Sequence, residues 1–312
     1  MIAITGYSGF VGKHIVNQLN LINYLQLGRK PLGSVHHFSE FDLSQTNNLN
    51  LSKPLKGINV LIHAAARVHV MNETSSDPLT EFRAVNTQGT LNLAKQAAQS
   101  GVKRFIFLSS IKVNGESTTG KAPFTASDKS AAEDFYGISK AEAEQQLLEL
   151  GKQTGMEIVI IRPPLVYGEG VKANFESLMR FVDKGLPLPF RAIKSNKRSL
   201  VSVYNLVDLI MVCIEHPKAA NQVFLVSDDY DLSTAEMVAL MAKVQNKKNL
   251  ALPMPVWCFK LVGKLFNKNN IIDRLTGSLQ LDISHTKSTL GWTPPYSVEH
   301  GFKLAAKKPL TK

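Results

Sequence analysis

Tyr136 and Lys140 stand four residues apart in Tyr136-Gly137-Ile138-Ser139-Lys140, and Ser109-Ser110 closes the apolar run Arg104-Phe105-Ile106-Phe107-Leu108. Residues four apart on a helix share a face, so the lysine ammonium can reach the space beside the phenol. A positive charge there is expected to draw the phenol down from its ordinary pKa of ~10, making it a usable acid or base at neutral pH. Ser110 is placed to hold a reacting oxygen. Phenol, ammonium and hydroxyl together suit hydride exchange at an alcohol or ketone, the proton moving at oxygen while a nicotinamide takes or gives the hydride.

Such chemistry needs a dinucleotide cradle, and Ile2-Ala3-Ile4-Thr5-Gly6-Tyr7-Ser8-Gly9-Phe10-Val11-Gly12 reads as one. A β-branched run enters three glycines spaced three apart, and the apolar helical pattern Val11, Ile15, Leu19, Ile22 follows. Gly6 allows the turn, Gly9 lets a diphosphate approach the backbone, and Gly12 lets the helix pack closely on the strand, leaving N–H groups aimed at phosphate.

Positioning these groups requires a sheet with its strand ends aligned. Apolar strands are expected at 24–27, near Ser34 to Phe38, at 59–62, 104–108, 157–161 and 222–226, with helices over 80–100 and 131–154 between them. Apolar strands without alternation imply a parallel sheet covered on both faces. The expected fold is therefore α/β, a Rossmann-type doubly wound parallel sheet with a smaller C-terminal substrate-binding domain. Residues 1–168, with 205–230 returning to them, form the dinucleotide-binding part; 169–204 and 231–306 form the substrate-binding part; 307–312 is a tail. The segment Trp257 to Phe266, apolar with Lys260 and Lys264 opposite, reads as an ordinary amphipathic helix of the smaller part rather than a membrane-surface helix.

With 44% hydrophobic and 20% charged residues over 312 positions, the composition is that of a soluble globular enzyme, expected in the cytoplasm. No signal peptide is expected ahead of a strand at Ile2, and no apolar run approaches the ~18 residues that cross a bilayer. The formal charge of +11 is spread thinly without a nucleic-acid motif, so it favours small anionic ligands over nucleic acid. Cys213 and Cys258 lie in apolar helical contexts and read as core residues without a disulfide. His63, His69 and the pair His36-His37 lack a carboxylate or thiolate spacing that would complete a metal site, so no metal is expected.

The glycine turn, His63-Ala64-Ala65-Ala66, Val85-Asn86-Thr87-Gln88-Gly89-Thr90 and Tyr136-Gly137-Ile138-Ser139-Lys140 resemble, in this order, the motifs of the extended short-chain dehydrogenase/reductase family. The resemblance is to its nucleotide-sugar epimerase, dehydratase and ketoreductase branch and covers nearly the whole chain. It implies Ser110, Tyr136 and Lys140 as the catalytic set. It implies a cofactor held by Gly6, Ser8, Gly9, Phe10, Val11 and Gly12, bordered by Asp42 and Leu43 at the adenine, with Ala64, Ala65, Ala66, Asn86, Ser109, Tyr136, Lys140 and Pro163 along it. Arg162, ahead of that proline, resembles the family's strand end under the nicotinamide. Lys172 to Phe175, Arg198 to Val203 and Asn205 to Asp208 resemble segments that grip a nucleoside diphosphate. Ser110, Lys112, Asn174, Arg198 and Arg274 are the expected substrate contacts, Arg198 first among them because a planar guanidinium matches phosphate oxygens. The family also implies a homodimer through the helices near 80–100 and 131–154.

The reaction turns on two places. Dehydratases of this branch carry an Asp-Glu pair just after the catalytic hydroxyl, where this chain has Ile111-Lys112, so dehydration is disfavoured. NAD enzymes carry a carboxylate at the end of the second strand; here stand Gly28, Arg29 and Lys30, so NADP(H) is preferred and NAD(H) is possible. Exchange of NADP(H) favours reduction of a UDP-4-keto-6-deoxy-HexNAc to UDP-N-acetylquinovosamine or its C4 epimer. The segments 109–116 and 162–168 resemble bacterial surface-polysaccharide enzymes of that kind. A UDP-glucose or UDP-GlcNAc 4-epimerase is the alternative, and a non-catalytic dinucleotide-binding scaffold the distant one.

Overall fold

Seven strands lie side by side, every pair parallel: β1 (Ile2–Thr5), β2 (Tyr24–Gly28), β3 (Phe38–Glu40), β4 (Val60–His63), β5 (Arg104–Leu108), β6 (Glu157–Arg162) and β9 (Gln222–Leu225), in the order β3-β2-β1-β4-β5-β6-β9. The computed structural model describes all residues except 20–22, 34–36, 46–49, 69–76, 172–173, 267–268 and 307–312, and the side chains of Asn174, Val262 and Asn270 are likewise outside the description. Ile22, Ser34, His36, His69, Lys172, Ala173 and the tail therefore lie outside the described residues.

The sheet is apolar on both faces because each strand alternates between two cores. Ile2, Ile4, Val60, Ile62, Ile106, Val159 and Ile161 point to one side, where α1 (Phe10–Gln18) and α6 (Val203–Glu215) cover them. Ala3, Leu61, Phe105, Phe107, Ile158 and Ile160 point to the other, under α3 (Thr90–Gln99) and α4 (Phe135–Thr154). Burial on both faces is the reason these strands read as continuous apolar runs. This is the expected doubly wound fold. Its order reverses between β1 and β4, where the chain leaves one half-sheet for the other and ligands of such sheets bind.

Several elements differ from the sequence expectation. The third strand is Phe38–Glu40, later than the stretch expected from Ser34. The long helix begins at Phe135 instead of 131, because the Asp134 carboxylate accepts the Gly137 N–H and fixes the first turn. The helix expected over 80–100 is interrupted: α2 (Pro78–Phe82) runs into a π-helical stretch, Arg83–Gly89, before α3. Cys213 is buried, whereas Cys258 is only partly covered.

Beyond Arg162 a two-stranded parallel pair, β7 (Leu165–Tyr167) with β8 (Leu200–Ser202), stands beside the main sheet. With α5 (Asn174–Asp183), α7 (Thr234–Val244) and α11 (Val298–Ala305) it forms a separate core around Tyr167, Phe175, Met241 and Phe302. The pair α8 (Val256–Leu265) and α9 (Asn269–Thr276) forms a small cluster with Phe190 and Ile193, and α10 (Ser284–Leu290) lies against β9. Asp228, just after β9, ties the regions together: it accepts from the Tyr167 hydroxyl at 2.6 Å, the Ser202 amide at 2.8 Å and Asn205 at 2.7 Å.

Candidate active site

Gly6 leaves β1 with φ of +72°, and a Cβ on it would lie 2.5 Å from the Ala64 carbonyl carbon. A Cβ on Gly12 would lie 2.0 Å from the Gly6 oxygen, so only glycine lets α1 start this close to the strand. The Gly9 amide closes the turn onto the Gly6 oxygen at 3.0 Å, and no side chain caps α1. The first-turn N–H groups of Phe10, Val11 and Gly12 thus stay available, with Ser8 and Gly9 exposed beside them. This cradle fits an anionic diphosphate by hydrogen bonding and helix dipole. Across the switch point Ala64, Ala65 and Ala66 are half-buried, the Ala64 and Ala65 amides reaching the oxygens of Thr5, each at 3.3 Å.

Arg29 and Lys30 follow β2 and are exposed. Asp42 is held below the usual carboxylate range by the hydroxyl and amide of Ser44, with Arg29 adding a smaller electrostatic pull. Leu43 is buried, and its carbonyl lies where a Cβ on Gly89 would stand, 2.3 Å away.

The π-helical stretch turns Asn86 and Thr87 inward. Asn86 Oδ1 accepts from the Arg67 amide at 2.8 Å, and its Nδ2 donates to the Arg67 oxygen at 2.9 Å and to Ser139 Oγ at 3.0 Å. Asn86 is thus a clamp between the chain leaving β4 and α4. The Thr87 hydroxyl adds a bond to the Ser139 oxygen at 2.9 Å.

Ser110 follows β5 and caps the short turn Ile111–Val113, its Oγ accepting from the Lys112 amide at 3.3 Å. That turn is tied to Pro163, which is buried and accepts the Ile111 N–H at 3.0 Å. The first turn of α4 lies on it so closely that a Cβ on Gly137 would be 2.9 Å from the Lys112 oxygen. Ser110 and Tyr136 are therefore carried by elements in direct contact. One turn further along, Lys140 is 1% exposed, with Nζ 3.8 Å from the Phe107 ring centre and no hydrogen bond among the described residues. A buried ammonium without a hydrogen-bond acceptor fits the hydroxyls of a bound ribose.

The electrostatics depart from the expected lowering of the phenol. Burial, and then the Asp134 carboxylate, push Tyr136 up to about 12. Burial pulls Lys140 down to about 7, against an upward pull from Glu144. The lysine is itself too poorly solvated to stay fully charged at neutral pH, so it does little for the phenol in the free protein. His63, at the end of β4, is pulled down to about 3 by burial and then by Lys140. It is a neutral ring held between the Thr5 and Thr90 hydroxyls at 2.7 and 2.9 Å. Among the described residues no group of three His, Cys, Asp or Glu could hold a metal ion.

Beneath the site runs a network that joins Ser109 and Arg162, both named from sequence, through Glu144, for which only its four-residue spacing from Lys140 gave a signal. Glu144 accepts from Ser109 Oγ and pairs two-pronged with Arg162, at 3.0 Å to Nε and 2.5 Å to Nη2, while Arg162 also donates to Asn114 at 2.9 Å. Ser109 is thereby committed to the carboxylate.

The expected substrate cations converge. Arg198 donates to the Arg274 and Gly277 carbonyls at 2.9 and 3.4 Å, and Arg274 lies 3.8 Å from Glu116. Burial and the neighbouring Arg274 charge pull Arg198 below its ordinary value, with Glu116 opposing. Lys112 joins this group through ion pairs to Glu116, at 3.0 Å, and Asp134. Asn174 opens α5, with its side chain outside the description. Phe175, Asn205 and Asp208 are structural instead: Phe175 stacks on Tyr167, Asn205 bonds Asp228 and Tyr296, and Asp208 accepts the Trp292 N–H at 2.7 Å.

Residues 2–227 match the family described as the NAD dependent epimerase/dehydratase family. A UDP-glucose 4-epimerase of Vibrio cholerae is 57% identical over 314 residues, spanning 98% of this chain and 94% of its own. Among solved structures, a UDP-N-acetylglucosamine 4-epimerase from Bacillus cereus superposes with a TM-score of 0.79 at 17% identity, over 98% of this chain and 97% of that one. MoeE5 in complex with UDP-glucose and NAD gives a TM-score of 0.75 at 23% identity over the same shares.

Proposed function

The chain belongs to the NAD dependent epimerase/dehydratase family, and on that footing we propose that it is an NAD-dependent UDP-sugar 4-epimerase. The observation that carries the reading is the buried, unbonded Lys140 ammonium one helical turn from Tyr136, at the strand ends beside an uncapped glycine cradle. The similarity to a UDP-glucose 4-epimerase over nearly the full length favours this over the reductase expected from sequence. It likewise favours NAD over NADP(H): Arg29 and Lys30 are exposed cations that a second phosphate could use but that nothing here commits to one.

When bound, the nicotinamide would supply reversible hydride exchange at C4 of the sugar. Phe10, Val11 and Gly12 would hold its diphosphate through their N–H groups, and Lys140 would bond its ribose. Tyr136 moves the proton at the sugar oxygen, and Ser110 orients that oxygen. Bonded to a ribose, Lys140 would keep its charge and draw the Tyr136 phenol down from its free value toward the working range. Arg198 and Arg274 take the substrate diphosphate, whose charge relieves their mutual repulsion. Lys112 steadies this end of the site through Glu116 and Asp134. A cytosolic homodimer through α3 and α4 belongs to the same reading, as does a product supplied for polysaccharide synthesis.

The purified protein is expected to interconvert UDP-glucose and UDP-galactose, or their N-acetyl counterparts, without net consumption of cofactor. Tyr136→Phe is expected to lower kcat by about a thousandfold. Stoichiometric loss of NADPH on a UDP-4-keto-6-deoxy sugar, without interconversion, would return the reading to the reductase; undiminished activity in Tyr136→Phe would remove the phenol from the chemistry.

A further inference from the structure

The amphipathic segment expected to pack into the smaller region turns its apolar side outward. Helix α8 buries Phe259 and Gly263 against α9 and the 190–193 segment: Phe190 stacks on Phe259 at 5.9 Å, and a Cβ on Gly263 would meet Ile272 at 2.6 Å. At about 100° per residue, Trp257, Leu261 and Leu265 fall on one arc of the opposite side. They are 66, 62 and 76% exposed, and Phe266 follows at 66%. Of the 17 exposed large apolar residues among the described residues, eight lie between 250 and 271, in this one part of the molecule. Packing against the rest of the chain does not account for them.

Charge around the patch is one-sided. From Met237 to Ile272 the sequence has six lysines, at 243, 247, 248, 260, 264 and 268, and no Asp or Glu. Lys243 and Lys247 are engaged with Glu299 and Asp183, whereas Lys260 and Lys264 are exposed on the flank of the apolar arc. Arg191 and Lys194, on the segment under α8, are also exposed. Two acidic residues border the stretch in sequence, Asp273 in α9 and Glu236, which lines a cavity with Arg191 and Lys194.

We propose that the outer face of α8, with the start of α9, docks on the surface of an anionic bilayer. Trp257, Leu261, Leu265 and Phe266 enter the headgroup boundary while Lys260 and Lys264 meet lipid phosphates. No helix among the described residues is long and apolar enough to cross a membrane, so the attachment is peripheral and reversible. Arg274 lies on α9, so docking would bring the cationic end of the candidate site toward the lipid surface.

The full chain is tested by co-sedimentation with vesicles of phosphatidylglycerol and phosphatidylcholine, against phosphatidylcholine alone, together with tryptophan emission. Trp292 is buried and bonded to Asp208, so a blue shift on adding vesicles reports Trp257. Binding to the anionic vesicles only, with a blue shift, is expected. Lys260→Glu with Lys264→Glu should weaken binding more than about tenfold, each lysine contributing about 1 kcal/mol near such a surface. Trp257→Ser with Leu261→Ser should weaken it comparably while leaving UDP-sugar turnover and thermal unfolding unchanged. Absence of wild-type binding, equal binding to neutral vesicles, or a dimer that the Trp257→Ser, Leu261→Ser variant dissociates in solution without lipid would each overturn the proposal.

Discussion

Lys140 and Glu144 show what individual side chains contribute to stability and to the site. In the free protein Lys140 titrates near 7 against 10.5 for an ordinary lysine. Between those values the unfolded chain binds a proton that the folded one does not, so stability gained from losing that charge rises with pH through this window. Below about pH 7 both states are charged and the folded state bears the whole cost of burial. Lys140→Met is therefore expected to raise the Tm of the cofactor-free protein at pH 6 to 7, with the gain fading toward pH 10, while abolishing turnover. An unchanged or lowered Tm at pH 6 would contradict the buried-charge account. Glu144 behaves oppositely, because it is the compensating charge for Arg162, at 8% side-chain exposure. Glu144→Ala is expected to cost about 3–5 kcal/mol in urea unfolding, and adding Arg162→Leu should recover most of it. A loss below about 1 kcal/mol would place the pair with ordinary surface ion pairs.

At the level of elements, the proposed reacting groups depend on a close approach that Gly137 permits. Gly137 is the contact between α4 and the Ile111–Val113 turn, and through it the distance between Tyr136 and Ser110 is set. Gly137→Ala would push the helix start away from the Lys112 carbonyl, which a Cβ would approach to 2.9 Å, by a few tenths of an ångström. Kinetics of that variant should show kcat reduced up to about a hundredfold, with far less effect on Tm. A variant with normal kcat would mean that Ser110 and Tyr136 do not act on the same oxygen. The π-helical stretch works in the same register, adding a residue to one turn so that Asn86 reaches both Arg67 and Ser139.

For the whole molecule, we propose two regions that share their chain. We read 1–168 with 205–230 as one region and 169–204 with 231–306 as the other. β9 completes the edge of β6, α6 covers α1, and Asp228 joins β9 to β8 and α6. A fragment ending at residue 168 would expose the β6 edge and the apolar face that α6 covers, so it is expected to stay unfolded by circular dichroism, while the full chain melts in one transition. A folded fragment, or two separated transitions, would show that the regions stand independently.

The sequence by itself determined what depends on local sterics and period. Three glycines forced the strand–turn–helix cradle, unbroken apolar runs announced strands buried on both faces, and the four-residue spacing put Tyr136 and Lys140 on one face. The resemblance carried by these motifs placed the chain in its family. Boundaries were less legible where a cap or an extra residue decided them, as at Asp134 and in the stretch from Arg83 to Gly89. Tertiary structure alone decided the rest, because it concerns residues far apart in the chain. Arg198 and Arg274 meet across 76 positions, and Glu144 finds Arg162 instead of solvent. Tyr136 is raised and Lys140 lowered because burial belongs to the packing, not to the spacing. The same limit holds for α8: its period announces an apolar face, but only the packed neighbours reveal that this face looks outward.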